Sequence, residues 1–305
     1  MKLSVEFPSI ASREGPAAVR KLAKAIEDIG FDQLDMFDHV IMGYPTERRG
    51  APMYPPKMPI MEALMMLSYA AAVTDTIGLG TEVLILPQRQ PTLVAKQIST
   101  LDTLSGGRVR LGVGVGWQAS EYETLNEDFT NRGKRMDEAI HLIRSYWRDE
   151  EVNFKGDFYL ADAMAMEPKS PQGGNLPIWI GGTSTAALKR VAALGDGWLA
   201  TAIEDVEVAK SFTQRIHQYA EEAGRDPDQI GMQMMLDVPP RDEAGKQFYK
   251  NVDNVIARAE AVKCAGFECG ALNATAMFQA GYRSVDALID QLAVLHDGLR
   301  STLGN

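Results

Sequence analysis

Apolar and polar positions along the chain alternate between two kinds of pattern. Short apolar runs rich in β-branched residues, such as Lys2–Phe7, are followed by longer stretches in which apolar residues recur every three or four positions. In the last of these stretches Leu288, Leu292 and Leu299 fall on one helical face. Short strands that alternate with amphipathic helices predict βα units and a parallel sheet.

Eight such pairs occur, which in 305 residues favours an α/β fold with a single (β/α)8 TIM-barrel domain over residues 1–305. An open, doubly wound sheet is the alternative. The predicted strands are Lys2–Phe7, Asp32–Phe37, Ile77–Leu86, Arg108–Val115, Ile178–Gly181, Gly197–Thr201, Ile230–Val238 and Phe267–Asn273. The predicted helices are Pro16–Ile29, Ile60–Val73, Thr92–Leu104, Arg132–Arg148, Thr185–Leu194, Val206–Ala223, Asn251–Ala265 and Ser284–Leu303.

Two segments interrupt the alternation. Met42–Pro59, after the second strand, contains five prolines and no periodicity, which predicts a long ordered loop. Glu150–Leu176, before the fifth strand, holds short polar and aromatic pieces. We expect this second segment to be an insertion in the barrel and not a linker between domains.

The charge of the chain limits its partners. With 41 acidic and 31 basic side chains the formal net charge is −10, and no basic patch is visible, so we expect neither nucleic acid nor an anionic membrane as a partner. No apolar stretch approaches the roughly 18 residues of a membrane span. Two cysteines cannot make a disulfide framework, which favours a reduced, cytoplasmic protein.

Glycines leave two of the predicted strands with few side chains on one face. Gly112, Gly114 and Gly116 recur with period two and therefore share one face of the fourth strand, and Gly80 lies in the third. The fourth strand is not a dinucleotide-binding GxGxxG motif, because Trp117 stands where the third glycine is required. Either a planar ligand over strands three and four or tight packing inside a barrel accounts for such faces.

The pair Asp38 and His39 falls at the C-terminal end of the second strand, where barrel enzymes place catalytic groups. Histidine exchanges protons near neutral pH, and a neighbouring carboxylate can fix its tautomer. A capping or core histidine is the alternative. No two histidines have metal-ligand spacing and no nucleophile motif is visible, so we expect no metal site and no hydrolytic nucleophile.

A Gly-Gly turn joins the fifth strand to its helix. Gly181, Gly182 and Thr183 precede Ser184 and Thr185, either of which can cap the helix. Backbone N–H groups at such a helix N-terminus bind phosphate well, and the glycines permit close approach. A simple N-cap is the alternative to a phosphate site.

Together these segments resemble the luciferase-like family, the flavin- or deazaflavin-dependent oxidoreductases built on a (β/α)8 barrel. The resemblance is spread over nearly the whole chain. The residues that carry it are Asp38-His39, Leu79–Val83, Leu86–Pro91, the segment that begins with Ala95–Gln97 and ends with Leu104–Arg108, Gly112–Trp117, and Ile178–Gly182.

The resemblance implies a cofactor at the C-terminal mouth of the barrel. Its ring would lie over strands three and four, at Gly80, Thr81, Glu82, Val83, Gly112, Gly114 and Gly116, and its phosphate near Gly181, Gly182 and Thr183. In many deazaflavin-dependent members the peptide at the position of Glu82-Val83 is cis and supports the ring. Sugar-phosphate dehydrogenases of the family have a glutamate where this chain has Trp117, so the resemblance implies a more apolar or planar substrate here.

We therefore expect an enzyme that transfers a hydride between the deazaflavin coenzyme F420 and a small organic substrate. In this hypothesis His39 is the proton donor or acceptor and Asp38 orients it. A monooxygenase that uses reduced FMN is the second hypothesis, and a noncatalytic flavin-binding barrel is the third. We also expect a homodimer.

Overall fold

Eight parallel strands close into a barrel in the computed structural model, which describes residues 1–237, 245 and 247–304. The strands follow the chain order around the barrel, and the first pairs with the last, with Ser4 opposite Ala271. The predicted (β/α)8 barrel is confirmed. The strands are β1 Lys2–Glu6, β2 Gln33–Met36, β3 Gly78–Thr81 with its continuation β4 Leu84–Ile85, β5 Val109–Gly114, β6 Val152–Lys155, β7 Leu160–Met164, β8 Ile178–Gly181, β9 Gly197–Ala200, β10 Gly231–Met235 and β11 Cys269–Asn273.

Amphipathic helices cover the outside of the barrel, and each predicted helix is present with ends shifted by at most three residues. The last helix shows why the predicted ends and the predicted buried face are correct. The Ser284 side chain caps its start by accepting a hydrogen bond from the Ala287 N–H, and Leu292 and Leu299 on its inner face are fully buried. The helices are α1 Pro16–Ile29, α2 Ala63–Ala71, α3 Pro91–Ser105, α4 Ala119–Thr124, α5 Arg132–Arg148, α6 Thr185–Leu194, α7 Val206–Glu222, α8 Val252–Cys264, α9 Ala274–Gln279 and α10 Val285–Leu303. The short helices α4 and α9 were not predicted.

The third strand of the barrel is interrupted, whereas the sequence predicted one strand over Ile77–Leu86. Regular pairing stops after β3 and resumes at β4, where Leu84 lies opposite Val113 of β5. Between them the Glu82-Val83 peptide bond is cis, as the family resemblance predicted. We call Glu82 and Val83 the bulge.

The two predicted insertions are also present. Residues 42–59 hold no strand or helix apart from a single bridge between Thr46 and Arg49. The second insertion contains the antiparallel hairpin β6–β7. The predicted seventh strand, Ile230–Val238, is shorter than expected, and Val238 lies outside the described residues.

A buried polar network fills the barrel interior around Asp35, which is 0% exposed. Its carboxylate accepts hydrogen bonds from Ser4 Oγ at 2.5 Å, Arg110 Nη2 at 2.7 Å and Gln233 Nε2 at 3.2 Å. A Cβ at Gly80 would collide with Asp35 Oδ1, so this glycine gives the network room. The space left for a ligand lies further along, at the C-terminal strand ends.

None of the helices in the described ranges is both long and apolar enough to cross a lipid bilayer.

Candidate active site at the C-terminal mouth of the barrel

A cavity of about 400 Å³ opens among the C-terminal ends of the barrel strands. Parallel strands bring their following loops together at this end, which is where barrel enzymes bind substrates. The cavity is lined by apolar side chains such as Phe37, Leu199 and Met235, by the bulge, and by the Gly181–Gly182 turn. Four predicted cofactor residues, Glu82, Val83, Gly181 and Gly182, thus lie on its wall.

The glycine face of β5 lies behind the bulge and does not line the cavity. A Cβ at Gly114 would lie 2.5 Å from Val83 Cγ2, and one at Gly116 would lie 2.8 Å from Ile85 Cγ2. At Gly112 a Cβ would collide with the carbonyl of Thr81, whose hydroxyl donates to the Gly112 carbonyl at 2.6 Å. The structure therefore favours the packing alternative for these glycines, which make room for the bulge.

Of the other predicted cofactor residues, Thr81, Gly112, Gly114 and Gly116 accordingly lie behind the wall, and Gly80 faces the Asp35 network in the barrel interior. None of these five residues is among those that line the cavity. The sequence pattern could not separate the two alternatives, because a bulging neighbouring strand and a planar ligand both require a face without side chains.

The predicted phosphate turn forms the start of α6. Gly182 has φ 112°, a conformation that favours glycine, and its carbonyl accepts a hydrogen bond from Trp198 Nε1 at 2.9 Å. Ser184 caps the helix, leaving other N–H groups of the first turn without a partner inside the helix. Arg215 of α7 donates to Thr185 Oγ1 at 2.9 Å, which places a cation beside this helix end. Thr183 is half-buried in the turn.

His39 is held by a residue that the sequence analysis missed. Its Nδ1 lies 3.1 Å from Oε2 of Glu121, a side chain of α4 that is 0% exposed. Glu121 also accepts hydrogen bonds from the Val40 N–H at 2.6 Å and from Gln88 Nε2 at 3.1 Å. Burial acts to raise the pKa of Glu121, but these hydrogen bonds outweigh it, so the pKa lies below its usual value. Glu121 is therefore ionised near neutral pH, and Nδ1 of His39 carries the proton that faces it.

The prediction that Asp38 orients His39 is wrong. The Asp38 carboxylate accepts a hydrogen bond from the Ile85 N–H at 3.1 Å and forms an ion pair with Arg89 at 2.9 Å. Burial raises the pKa of Asp38 although Arg89 opposes the shift. Neighbouring residues at the end of an extended segment point to different sides, so Asp38 ties β2 to the segment after the bulge while His39 faces Glu121.

Two aromatic rings pack against His39, and one of them lines the cavity. His39 lies edge-on to Tyr54, with ring centroids 5.6 Å apart, and to Trp117 at 5.3 Å. Tyr54 lines the cavity, whereas His39 and Trp117 do not, and Trp117 is 40% exposed. The predicted catalytic residue His39 and the predicted substrate residue Trp117 thus lie together beside the cavity wall, and both are in contact with Tyr54, which lines it.

Three carboxyl groups line the same cavity: Glu6, Glu82 and Asp237. Burial raises the pKa of Asp237 to about 7, against a hydrogen bond from Tyr249. Burial, with the other carboxylates, also raises the pKa of Glu6 and of Glu82. Within the described residues no three His, Cys, Asp or Glu side chains are placed to hold a metal ion. Their raised pKa values make these three carboxyl groups proton-binding groups.

Sequence reasoning missed Glu121, Tyr54, Asp237 and Arg215. Glu121 follows Trp117 by four residues in the segment after the glycine strand, and this position at the catalytic end of the barrel was the available signal. Asp237 was hidden because the predicted strand ran on to Val238. Tyr54 lies in the proline-rich loop, where no periodicity marks a side chain as inward.

Comparison with known proteins agrees with this geometry. The family model described as luciferase-like monooxygenase matches residues 3–247. An uncharacterized protein of Mycobacterium tuberculosis is 35% identical over 212 residues, 67% of this chain and 72% of that protein. The F420-dependent glucose-6-phosphate dehydrogenase of Amycolatopsis mediterranei is 31% identical over 214 residues, 68% of this chain and 60% of that protein.

Among solved structures, an F420-dependent secondary alcohol dehydrogenase in complex with an F420-acetone adduct superposes with a TM-score of 0.78 at 20% identity, covering 98% of this chain and all of that one. This likeness shows the fold. The family match extends over most of the chain and confirms both the resemblance and the prediction of an enzyme of this kind. The chain therefore belongs to the luciferase-like monooxygenase family.

Proposed function

We propose that the protein is an F420-dependent oxidoreductase that transfers a hydride between the deazaflavin and a small organic substrate. The observation that carries the proposal is His39, held at Nδ1 by the buried Glu121 and in edge contact with Tyr54 of the cavity wall. The similarity to an F420-dependent dehydrogenase at 31% identity supports the choice of cofactor.

The residues present fit such a cofactor. The cavity offers an apolar wall at Val83 and Leu199 for a flat ring and leads to the Gly181–Gly182 turn. The N–H groups at the start of α6, with Arg215 beside them, suit the phosphate. When bound, the deazaflavin supplies the hydride chemistry, and the protein supplies position and proton management.

In this proposal His39 accepts the proton that the substrate releases, or donates it in the reverse reaction. Because its Nδ1–H faces the ionised Glu121, its Nε2 is the atom that gains or loses a proton. An alcohol that gives up a hydride must also give up its hydroxyl proton, and Nε2 can take it; in the reverse direction Nε2 returns it. Trp117 and Tyr54 pack against the imidazole of His39, which is 7% exposed. Asp38 acts on the scaffold by holding Arg89 and the backbone after the bulge.

A monooxygenase that uses reduced FMN is the second candidate. The observation in its favour is that the matching family model is itself described as a luciferase-like monooxygenase. The same ring-binding wall and helix end would serve FMN, which would supply the oxygen chemistry, and His39 would supply a hydrogen bond or proton to the substrate.

Turnover with a panel of ketones and secondary alcohols tests the proposal. We expect reduced F420 to be oxidised by an accepted ketone under strictly anaerobic conditions. Turnover that requires reduced FMN and oxygen, with isotope-labelled oxygen in the product, would establish the monooxygenase instead.

The role of His39 has its own test. His39→Ala should leave cofactor affinity within a few-fold and lower turnover about a hundredfold or more, the usual scale for a lost general acid or base. His217→Ala, on the outer helix α7, is the matched control. Wild-type turnover in the His39 variant would remove this residue from the mechanism.

A further inference from the structure

The three cavity carboxyl groups have no role in the proton transfer assigned to His39, and they restrict what the cavity can hold. Resting on the proposed function, we propose that Glu6, Glu82 and Asp237 select a substrate that is uncharged or positively charged and carries an O–H or N–H donor, an alcohol or an amine. Substrates with a carboxylate or phosphate would be rejected by the same groups.

Two of these carboxyl groups have an oxygen that needs a partner. Oδ1 of Asp237 and Oε2 of Glu82 are buried and make no hydrogen bond to any other described residue. Asp237 is only 6% exposed and lines the cavity. A buried polar atom without a partner is unfavourable, so a bound donor that reaches it removes this penalty.

The described residues that line the cavity include no cationic side chain to offset an anion near these groups. Among the described residues that line it, none is Lys, Arg or His. Arg110, the cation beneath it in the barrel, is already paired with Asp35 at 2.7 Å. Once Asp237 and Glu82 are ionised, above their raised pKa values of about 7 and about 8, an anionic group placed there would meet like charge in a poorly hydrated space, whereas an ammonium or a hydroxyl would meet acceptors.

The anionic end of the cofactor does not conflict with this selection, because its binding groups lie in a more exposed place. Ser184 and Thr185, at the start of α6, are exposed, and Arg215 is half-buried beside them. Glu6 and Asp237 are 8% and 6% exposed. The structure thus separates a surface region that suits phosphate from an inner region that suits a hydrogen-bond donor.

The rest of the inner region is apolar, with Phe37, Met235 and Leu199 around the carboxyl groups. We therefore choose three probes of the same shape that differ only in charge: cyclohexanol, cyclohexylamine and cyclohexanecarboxylate. Their dissociation constants are measured by ligand-observed NMR at about pH 9, where Asp237 and Glu82 are ionised and an alkylamine is still protonated, on the full chain with and without bound F420.

We expect cyclohexanol and cyclohexylamine to bind at least tenfold more tightly than cyclohexanecarboxylate. Asp237→Asn, which keeps the shape and removes the charge, should reduce this preference at least fivefold for the amine. Glu82→Gln is a second variant with the same expectation, in case Asp237→Asn does not fold. Glu268→Gln is the matched control, because Glu268 lines a separate cavity at the N-terminal end of the barrel.

Equal affinity for the three probes, no binding of any of them, or an unchanged preference in the folded carboxyl variants would overturn this inference. The measurements without F420 test the inference about the carboxyl groups independently of the proposed function. Titration of the same wild-type protein with F420 judges the proposed function alone, so the two can fail separately.

Discussion

Replacing Glu121 with glutamine tests whether this residue sets the tautomer of His39. In the wild type Oε1 accepts from the Val40 N–H at 2.6 Å, and Oε2 faces both His39 Nδ1 and Gln88 Nε2. In Glu121→Gln the amide oxygen keeps the backbone bond, which places the amide NH₂ against His39. Nδ1 must then accept a hydrogen bond, so the imidazole proton moves to Nε2.

The cost in stability follows from the contacts. Gln88 can turn its amide, since its Oε1 is buried without a hydrogen-bond partner among the described residues. The variant therefore loses charge assistance in three hydrogen bonds, about 1 kcal/mol each, or about 3 kcal/mol in total. With an unfolding entropy of about 2.1 cal/mol/K per residue over 305 residues, this lowers Tm by about 5 °C.

Nitrogen-15 NMR of the histidine ring reads the tautomer directly, and differential scanning calorimetry reads Tm. Turnover in the direction of alcohol oxidation should fall by tenfold or more, because Nε2 then carries the proton that it should accept. Glu123→Gln, an exposed change on the same helix, should alter none of the three quantities. A variant with the wild-type His39 tautomer, or with wild-type turnover, would refute the assigned role of Glu121.

Three further predictions concern neighbouring groups. Asp38→Asn should lower the free energy of unfolding by about 2 kcal/mol, because Arg89 loses its buried partner, while the His39 tautomer stays unchanged; chemical denaturation and NMR check this. Arg215→Gln should weaken F420 binding at least fivefold by calorimetry, whereas Lys210→Gln, an exposed change on the same helix, should not. Since the folded-state pKa of Asp237 is about 7, above the unfolded value of about 4, ionisation opposes folding, and wild-type stability should fall as pH rises between these values. Asp237→Asn should therefore raise Tm at pH 8 and not at pH 4; an equal change at both pH values would contradict the assignment.

The fold could be predicted because burial imposes a period on the sequence. The stripe of Leu288, Leu292 and Leu299 indicated α10, and the alternation of strands and helices indicated the barrel. The helix caps at Ser184 and Ser284 follow local rules as well. Residues 1–305 as one domain, the homodimer and the cytoplasmic location stay predictions.

The parts of the site that the sequence predicted are each a short local motif, such as Asp38-His39 or Gly181–Gly182. His39 and Glu121 are 82 positions apart and meet because two loops follow neighbouring parts of the barrel. The adjacent Asp38 was the natural candidate for this role, but its side chain points to Ile85 and Arg89. Pairings between loops depend on the closed barrel and leave no local pattern to find.

An anaerobic absorbance titration of the purified protein with F420 and, separately, with FMN tests the central claim most directly. We predict saturable binding of F420 with a spectral change that reports an apolar ring environment, and at least tenfold weaker binding of FMN. Tighter binding of FMN, or no spectral change with F420 at saturating concentration, would contradict the account.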